Sequence, residues 1–182
     1  MQYLHIDYYL SYYFINNFSF FEAIMLKLCC DQLEQNQFTI AFIESASSGY
    51  LTSQFSIYKN SGADILLGGL VSYDPSIKIS VLGIQPQIIE RYTAESAEVT
   101  ELMAQKGFSL FPAHFVVACT GLLKPGGSAT PEKPEGTFFI SIFHQQLSHN
   151  FRYFIDGTAQ ERLAILTNLV ADEVIKLIEP SI

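Results

Sequence analysis

Apolar residues recur along this chain with two periods, and the way they alternate predicts its layout. Between Phe20 and Glu34 the positions Phe21, Ile24, Met25, Leu28, Cys29 and Leu33 return at three- and four-residue steps, the spacing of an amphipathic helix that Asn36 ends. The run 38–43 (FTIAFI) predicts a strand, and a second helix follows over 48–56 after a turn of small residues. Ile65 to Tyr73 predicts a buried strand in which Gly68 and Gly69 mark a bulge or a close backbone approach. Asp74-Pro75-Ser76 breaks that run, and Pro75 in a first turn opens a short helical segment ending near Leu82-Gly83. Residues 84–92 start with a turn at Gln85-Pro86, and Ser96 caps a helix whose apolar face is Val99 and Met103, extended by Phe108 and Leu110. Residues 114–119 (HFVVAC) predict another strand, feeding a long glycine- and proline-rich loop from Thr120 to Gly136. Strands over 137–143 and 147–154 pair as a hairpin through His144-Gln145-Gln146. A last helix over 160–178 carries Leu163, Leu166, Leu169, Val170, Val174 and Leu177 at helical spacing. Strands alternating with helices describe an α/β domain of three layers, α/β/α, on a mixed, largely parallel sheet with an antiparallel edge.

Composition narrows the classes of partner. A chain of 182 residues suits one domain, and its net charge of −8 argues against nucleic acid or an anionic membrane as a partner. Cys29, Cys30 and Cys119 form neither a disulfide framework nor a zinc pattern; they read as small buried hydrophobes in a reducing, cytoplasmic compartment. His5, His114, His144 and His149 contain no i,i+4 pair, so no metal site is expected. No glycine-rich dinucleotide fingerprint and no Walker loop is present, which disfavours a redox cofactor or a kinase and leaves no cofactor expected. Residues 1–21 are dense in Tyr and Phe, yet Asp7, Asn16 and Asn17 interrupt them, so they match neither a signal peptide nor a membrane span. Two readings stand for this stretch: an aromatic extension packing on the domain of residues 22–182 or on a partner subunit, or sequence upstream of a start at Met25.

The chemistry centres on FTIAFIESASSG, Phe38 to Gly49. There a strand stops at Glu44-Ser45 and small residues lead into a helix. Such a turn holds Ser45 exposed on a rigid base, and the free N–H groups of a helix's first turn favour negative charge. A tight turn without catalysis is the plain alternative. Glu44 either orients Ser45 or caps the following helix. The loop 120–136 also lies beyond a strand end, where open α/β sheets bind ligands.

Three separated motifs resemble the CinA carboxy-terminal domain family. IESASSG (Ile43 to Gly49) is similar to the family's A-E-S-C-T-G-G, Tyr73-Asp74-Pro75-Ser76-Ile77-Lys78 to its Y-[SN]-x-x-x-K, and TGLLKPGGSATPEKPEGT (Thr120 to Thr137) to its T-G-[IL]-A-G-P-x-G-G-x-x-x-K-P-x-G-T loop. Between them, Leu82-Gly83-Ile84 and Tyr92-Thr93-Ala94-Glu95-Ser96 match the stretches LGV and YGAVS. The family includes the amidase that cleaves the carboxamide of nicotinamide mononucleotide to give nicotinic acid mononucleotide and ammonia. The resemblance therefore implies a serine amidase with Ser45 as nucleophile, Lys78 as base and Tyr73 as helper, acting on a small-molecule nucleotide. It also implies an oxyanion site at the N–H groups of Ser47, Ser48 and Gly49, with Glu44 beside the substrate. A ribose phosphate would lie on the loop, against Gly121, Gly126, Gly127 and Lys124 or Lys133, with Thr120 and Thr137 as possible hydroxyl donors. Lys78 could act only if largely neutral, well below the usual ~10.4. Family members commonly self-associate, so a homodimer or higher homo-oligomer is implied as well.

The match is that of a divergent member. Ala46 and Ser48 stand for Cys and Gly, Leu123-Lys124 for Ala-Gly, and Ile155-Asp156-Gly157-Thr158 for PGDR, which removes an arginine. The nucleotide-processing domain of longer family proteins is expected to be absent. A catalytically silent or altered-specificity paralogue, binding a nucleotide or a protein through the same cleft, is the rival reading.

Overall fold

A computed structural model describes residues 24–178, so the extension assigned to 1–21 lies outside the described residues. Its sheet is built around β1 (Ile40–Glu44), an interior strand buried along its whole length. Strands β2 (Leu66–Val71) and β3 (Phe115–Gly121) flank it in parallel; β4 (Thr137–His144) and β5 (Leu147–Phe154) continue antiparallel, in the order β2-β1-β3-β4-β5. The sheet is mixed, parallel on one half and antiparallel on the other. From β1 the chain passes to β2 on one side and then returns to β3 on the other. The end of β1 is thus the point where strand order reverses, and a crevice opens there.

Alternation along β1 sorts the two cores. Ile40 and Phe42 face the layer of α1 (24–35), α2 (Tyr50–Tyr58) and α6 (Ala159–Ile178), where the Phe42 and Phe55 rings lie 4.8 Å apart. Ala41 and Ile43 face α5 (Ala97–Leu110), joined by the residues after α3 (Pro75–Ser80) and by α4 (Pro86–Tyr92). Gly107 lets α5 lie flat on this face, since a Cβ there would fall 2.4 Å from Ile43 Cγ1. No helix among the described residues is long and apolar enough to cross a membrane.

Several local expectations are corrected. The buried side of α1 is Leu26, Cys29, Cys30 and Leu33, while Ile24 and Leu28 are about half exposed, so the apolar stripe is rotated onto the two cysteines. All three cysteines are unpaired and buried, and burial pushes the Cys30 and Cys119 thiols up to about 12. Strand β2 is a half-buried edge rather than a buried strand. Both of its glycines act: Gly68, at φ +130°, accompanies the register shift opposite Ile40 and Ala41, and a Cβ on Gly69 would meet Thr52 Oγ1 at 2.5 Å. Residues 86–92 form a helix after the expected turn. Leu110 is half exposed and not part of the α5 core face, whereas Phe108 packs on Phe143. The β4–β5 hairpin turns on Gln145 and Gln146, both at positive φ, as a two-residue type I′ turn requires.

Candidate active site

Leaving β1, the backbone makes one more sheet-like bond, from Ser45 N–H to Cys119 O at 2.9 Å, and then turns. Ser48 (φ +50°) and Gly49 (φ +91°) take left-handed conformations, so Ser48 adopts the shape for which glycine is usual. Ser45 O accepts from Ser48 N at 3.2 Å and from Ser48 Oγ at 3.3 Å, which fixes the turn. Ser45 is 6% exposed, at the floor of a crevice.

Glu44 settles into the capping role. Its carboxylate is buried, with Oε2 accepting from Gly49 N (2.9 Å) and Leu51 N (3.1 Å) and Oε1 accepting from Thr52 N (2.8 Å) and Thr52 Oγ1 (2.5 Å). Two expectations fall with this. Glu44 is not a substrate ligand, because four donors already fill its acceptor sites and it does not line the crevice. The start of α2 is not an open anion site either, because an internal carboxylate occupies it. Of the N–H groups expected to receive an oxyanion, Gly49 serves Glu44, Ser48 serves Ser45 O, and Ser47 faces the Cys119 thiol. The N–H of Ala46, next to the nucleophile and on the crevice wall, has no acceptor among the described residues.

Lys78 reaches the same point from the other side. Asp74 Oδ1 accepts from Ser76 N at 2.8 Å and Pro75 opens α3, which turns Lys78 inward until it is 0% exposed. Its Nζ lies 3.0 Å from Ser45 Oγ and 2.6 Å from the carbonyl of Ser72. No carboxylate pairs with it among the described residues. Burial holds its pKa below the usual lysine value, opposed by the charges of Glu95 and Asp74. A neutral amine that donates to a carbonyl keeps one lone pair, and the Ser45 hydroxyl is placed to give its proton to it. Tyr73, the third expected member, stands on the crevice wall, 68% exposed, and makes no hydrogen bond among the described residues.

The crevice has a volume of about 450 Å³. Ser47, Ser48, Gly121, Gly126, Gly127 and Lys124 line it, as the motifs implied. Lys124 is exposed and makes no ion pair among the described residues. Thr120 does not line it: the side chain is buried and its Oγ1 lies 2.7 Å from Thr100 Oγ1 on α5. Thr137 is likewise buried outside the lining. Lys133 is also removed from a ligand role, because its ammonium donates to Thr93 Oγ1 (2.9 Å), Glu95 O (2.8 Å) and Ser128 Oγ (2.7 Å). It is a strut that ties the loop to the α4–α5 junction. Sequence reasoning missed Ser72, which contributes only a carbonyl and so leaves no side-chain signal. It also passed over Glu95, a wall residue whose acidic side chain against the valine of the YGAVS stretch was the available clue.

Comparison with known proteins agrees with this arrangement of motifs. The profile of the CinA C-terminal domain matches residues 22–179. The chain belongs to that family. It is 33% identical over 136 residues to a CinA-like protein of Thermotoga neapolitana, covering 75% of this chain and 32% of the relative. A CinA-like protein of Mycolicibacterium vanbaalenii is 38% identical over 104 residues, 57% of this chain and 24% of its own length. The chain thus spans about a third of the length of the curated relatives it matches. A competence or damage-inducible protein from Enterobacter asburiae superposes with a TM-score of 0.79 at 20% identity, covering 86% of this chain and 98% of that one. A CinA superfamily protein from Escherichia coli gives 0.76 at 22% identity, covering 84% and 88%. At such identities the structures establish a common fold. In this CinA domain the position of the missing motif arginine is taken by Thr158, which caps α6 in a reciprocal box with Glu161. Arg162 holds the crevice loop instead, donating to Ile155 O (3.1 Å) and Leu123 O (2.8 Å) and pairing with Glu135.

Proposed function

We propose that this CinA domain is a serine amidase that hydrolyses the carboxamide of nicotinamide mononucleotide to nicotinic acid mononucleotide and ammonia. The observation that carries the reading is the buried, unpaired Lys78 with its Nζ 3.0 Å from Ser45 Oγ. In the first half-reaction Lys78 takes the Ser45 proton as Oγ bonds to the amide carbon, and the Ala46 N–H receives the developing oxyanion. The protonated amine then hands its proton to the amide nitrogen, the C–N bond breaks, and ammonia leaves an acyl ester on Ser45. In the second, Lys78 takes a proton from water, the hydroxide opens the ester, and Oγ regains its proton. Lys124 and the N–H groups near Gly126 and Gly127 oppose the phosphate charge. Tyr73 stands at the mouth, where it can pack on the substrate. The reaction needs neither metal nor cofactor, and the reading carries with it a cytoplasmic setting and a self-associating chain.

Ammonia release from nicotinamide mononucleotide by the purified chain tests it. Turnover that falls at least about 10³-fold in Ser45→Ala and in Lys78→Met is the expected result. Nucleotide binding without ammonia release would overturn the amidase reading in favour of a catalytically silent binder.

A further inference from the structure

Two charged side chains of the crevice wall stand where the family stretches quoted above carry none: Glu95, against the valine of YGAVS, and Lys124, against the Ala-Gly of the loop. Glu95 is held firmly. Its Oε2 accepts from Ser128 Oγ at 2.5 Å and its carbonyl accepts from Lys133 Nζ at 2.8 Å. Two residues earlier Thr93 takes φ +71° and ψ 159°, a region that glycine occupies and that strains a β-branched residue. Its Oγ1 is a second acceptor for Lys133, at 2.9 Å. The other oxygen of Glu95, Oε1, makes no hydrogen bond among the described residues. The remaining wall carboxylate, Asp74, is exposed and uses Oδ1 to cap α3. Glu95 lines the same crevice as Ser45 and acts electrostatically on both Lys78 and Lys133, while its Oε2 is tied to Ser128 of the glycine loop that also carries Lys124. The wall therefore carries a held carboxylate with one open oxygen, offset in part by the Lys133 ammonium, and a positive charge at Lys124 that pairs with no carboxylate among the described residues.

We propose that Glu95 is a substrate-contacting specificity residue that selects a cationic ring beside the scissile carboxamide, an N-glycosylated pyridinium, while Lys124 takes the anionic end of the same molecule. This rests on the amidase reading and adds the charge pattern of the substrate to it. A carboxylate with one unsatisfied oxygen gains from a cation placed against it and loses hydration without return when the ring is neutral. The preference is for the oxidised mononucleotide over its 1,4-dihydro form, which has the same carboxamide, ribose and phosphate but an uncharged ring.

The test is calorimetric titration of Ser45→Ala, in which turnover is blocked, with each of the two mononucleotides, and the same with Ser45→Ala/Glu95→Gln. Glu95→Gln is expected to weaken binding of the oxidised form about tenfold and of the dihydro form by less than about twofold. Because both ligands meet the same folded protein, a general loss of structure moves both and leaves their ratio unchanged. Ser128→Ala, which removes a hydrogen bond and no charge, is expected to keep the preference. Equal effects on the two ligands, no effect on either, or no binding of either nucleotide overturns the proposal. Absence of ammonia from the wild-type chain sinks the amidase reading by itself, while ammonia release with an unchanged ratio sinks only the role of Glu95.

Discussion

Replacing Glu44 by glutamine keeps the volume of the side chain and removes one of its two acceptor oxygens. Whichever way the amide is turned, its NH₂ group meets donors: the N–H groups of Gly49 and Leu51 on one side, the N–H and hydroxyl of Thr52 on the other. The less damaging orientation faces Thr52, whose hydroxyl can rotate to accept while its N–H cannot. At least one buried N–H then loses its partner, and the bonds that remain are made to a neutral acceptor. Hydrogen bonds to charged groups contribute roughly 1.5–3 kcal/mol each and neutral ones about 1. Some of the loss is recovered because an amide gives up less hydration than a carboxylate when buried, so the net cost is about 3–5 kcal/mol. Against a total of about 5–15 kcal/mol for a domain, that is a large fraction. In urea unfolding followed by far-UV circular dichroism, with a slope of about 2 kcal/mol/M, the midpoint should fall by roughly 1.5–2.5 M. Ammonia release should fall as well, since Ser45 shares its turn with the start of α2. A midpoint shift under about 0.5 M together with a raised KM would refute the reasoning, because it would mean that Glu44 meets the substrate and not the helix.

Three further outcomes follow from the same geometry. Activity should rise with pH through the pKa of Lys78, which burial holds below 10.5; between those two values unfolding takes up a proton on Lys78, so its contribution to wild-type stability falls as pH drops across that interval and levels off beneath it, and this contribution is missing from Lys78→Met, which keeps the linkage of the buried thiols. Denaturant titrations over pH read the second effect, and a pH-independent difference between the two proteins would contradict it. Gly107→Ala should destabilise by about 1–3 kcal/mol despite alanine's better helix propensity, because the added methyl would lie 2.4 Å from Ile43 Cγ1 and 3.1 Å from Val116 Cγ1; a thermal melt checks it. Lys133→Met should speed proteolytic cleavage within residues 122–136 and cost about 1–3 kcal/mol, because three acceptors on the loop and the α4–α5 junction lose their shared donor.

How far the sequence could be read depended on what kind of signal each residue leaves. The order of strands and helices, the Ser96 cap and the proximity of Ser45 to Lys78 were legible because periodicity, capping chemistry and motif spacing are local or already linked through the family. The rotation of α1 was not, since Ile24 and Cys29 are both apolar and only the neighbouring layer decides which of them faces inward. Whether Glu44 would orient the nucleophile or cap α2 turned on backbone donors that come into reach only after the left-handed step at Ser48 and Gly49. The same holds for the loop. Thr120, Thr137 and Lys133 sit in the motif that lines the crevice, yet strand alternation turns the two threonines into the interior, and the lysine is captured by two oxygens at the α4–α5 junction and one within the loop. A motif states which residues are close in sequence to the ligand, and hydrogen-bond accounting decides which of them remain free to meet it.

That accounting also bears on the central pair. The molecule contains a second buried cation, and the contrast between the two is informative. Arg162, 7% exposed, pairs with Glu135 and donates to two carbonyls, the provision that a charge held for architecture needs. Lys78 is more deeply buried yet has one carbonyl, one serine hydroxyl and no counter-ion among the described residues. Burial works against a full ammonium there and lowers the Lys78 pKa, so folding moves the equilibrium toward the neutral amine, the form whose lone pair can take the Ser45 proton. A purely structural role would be served better by methionine, which fills the same volume without desolvating an amine. If Lys78→Met both raises stability near neutral pH and abolishes turnover, the stability lost to the lysine is the cost of the base.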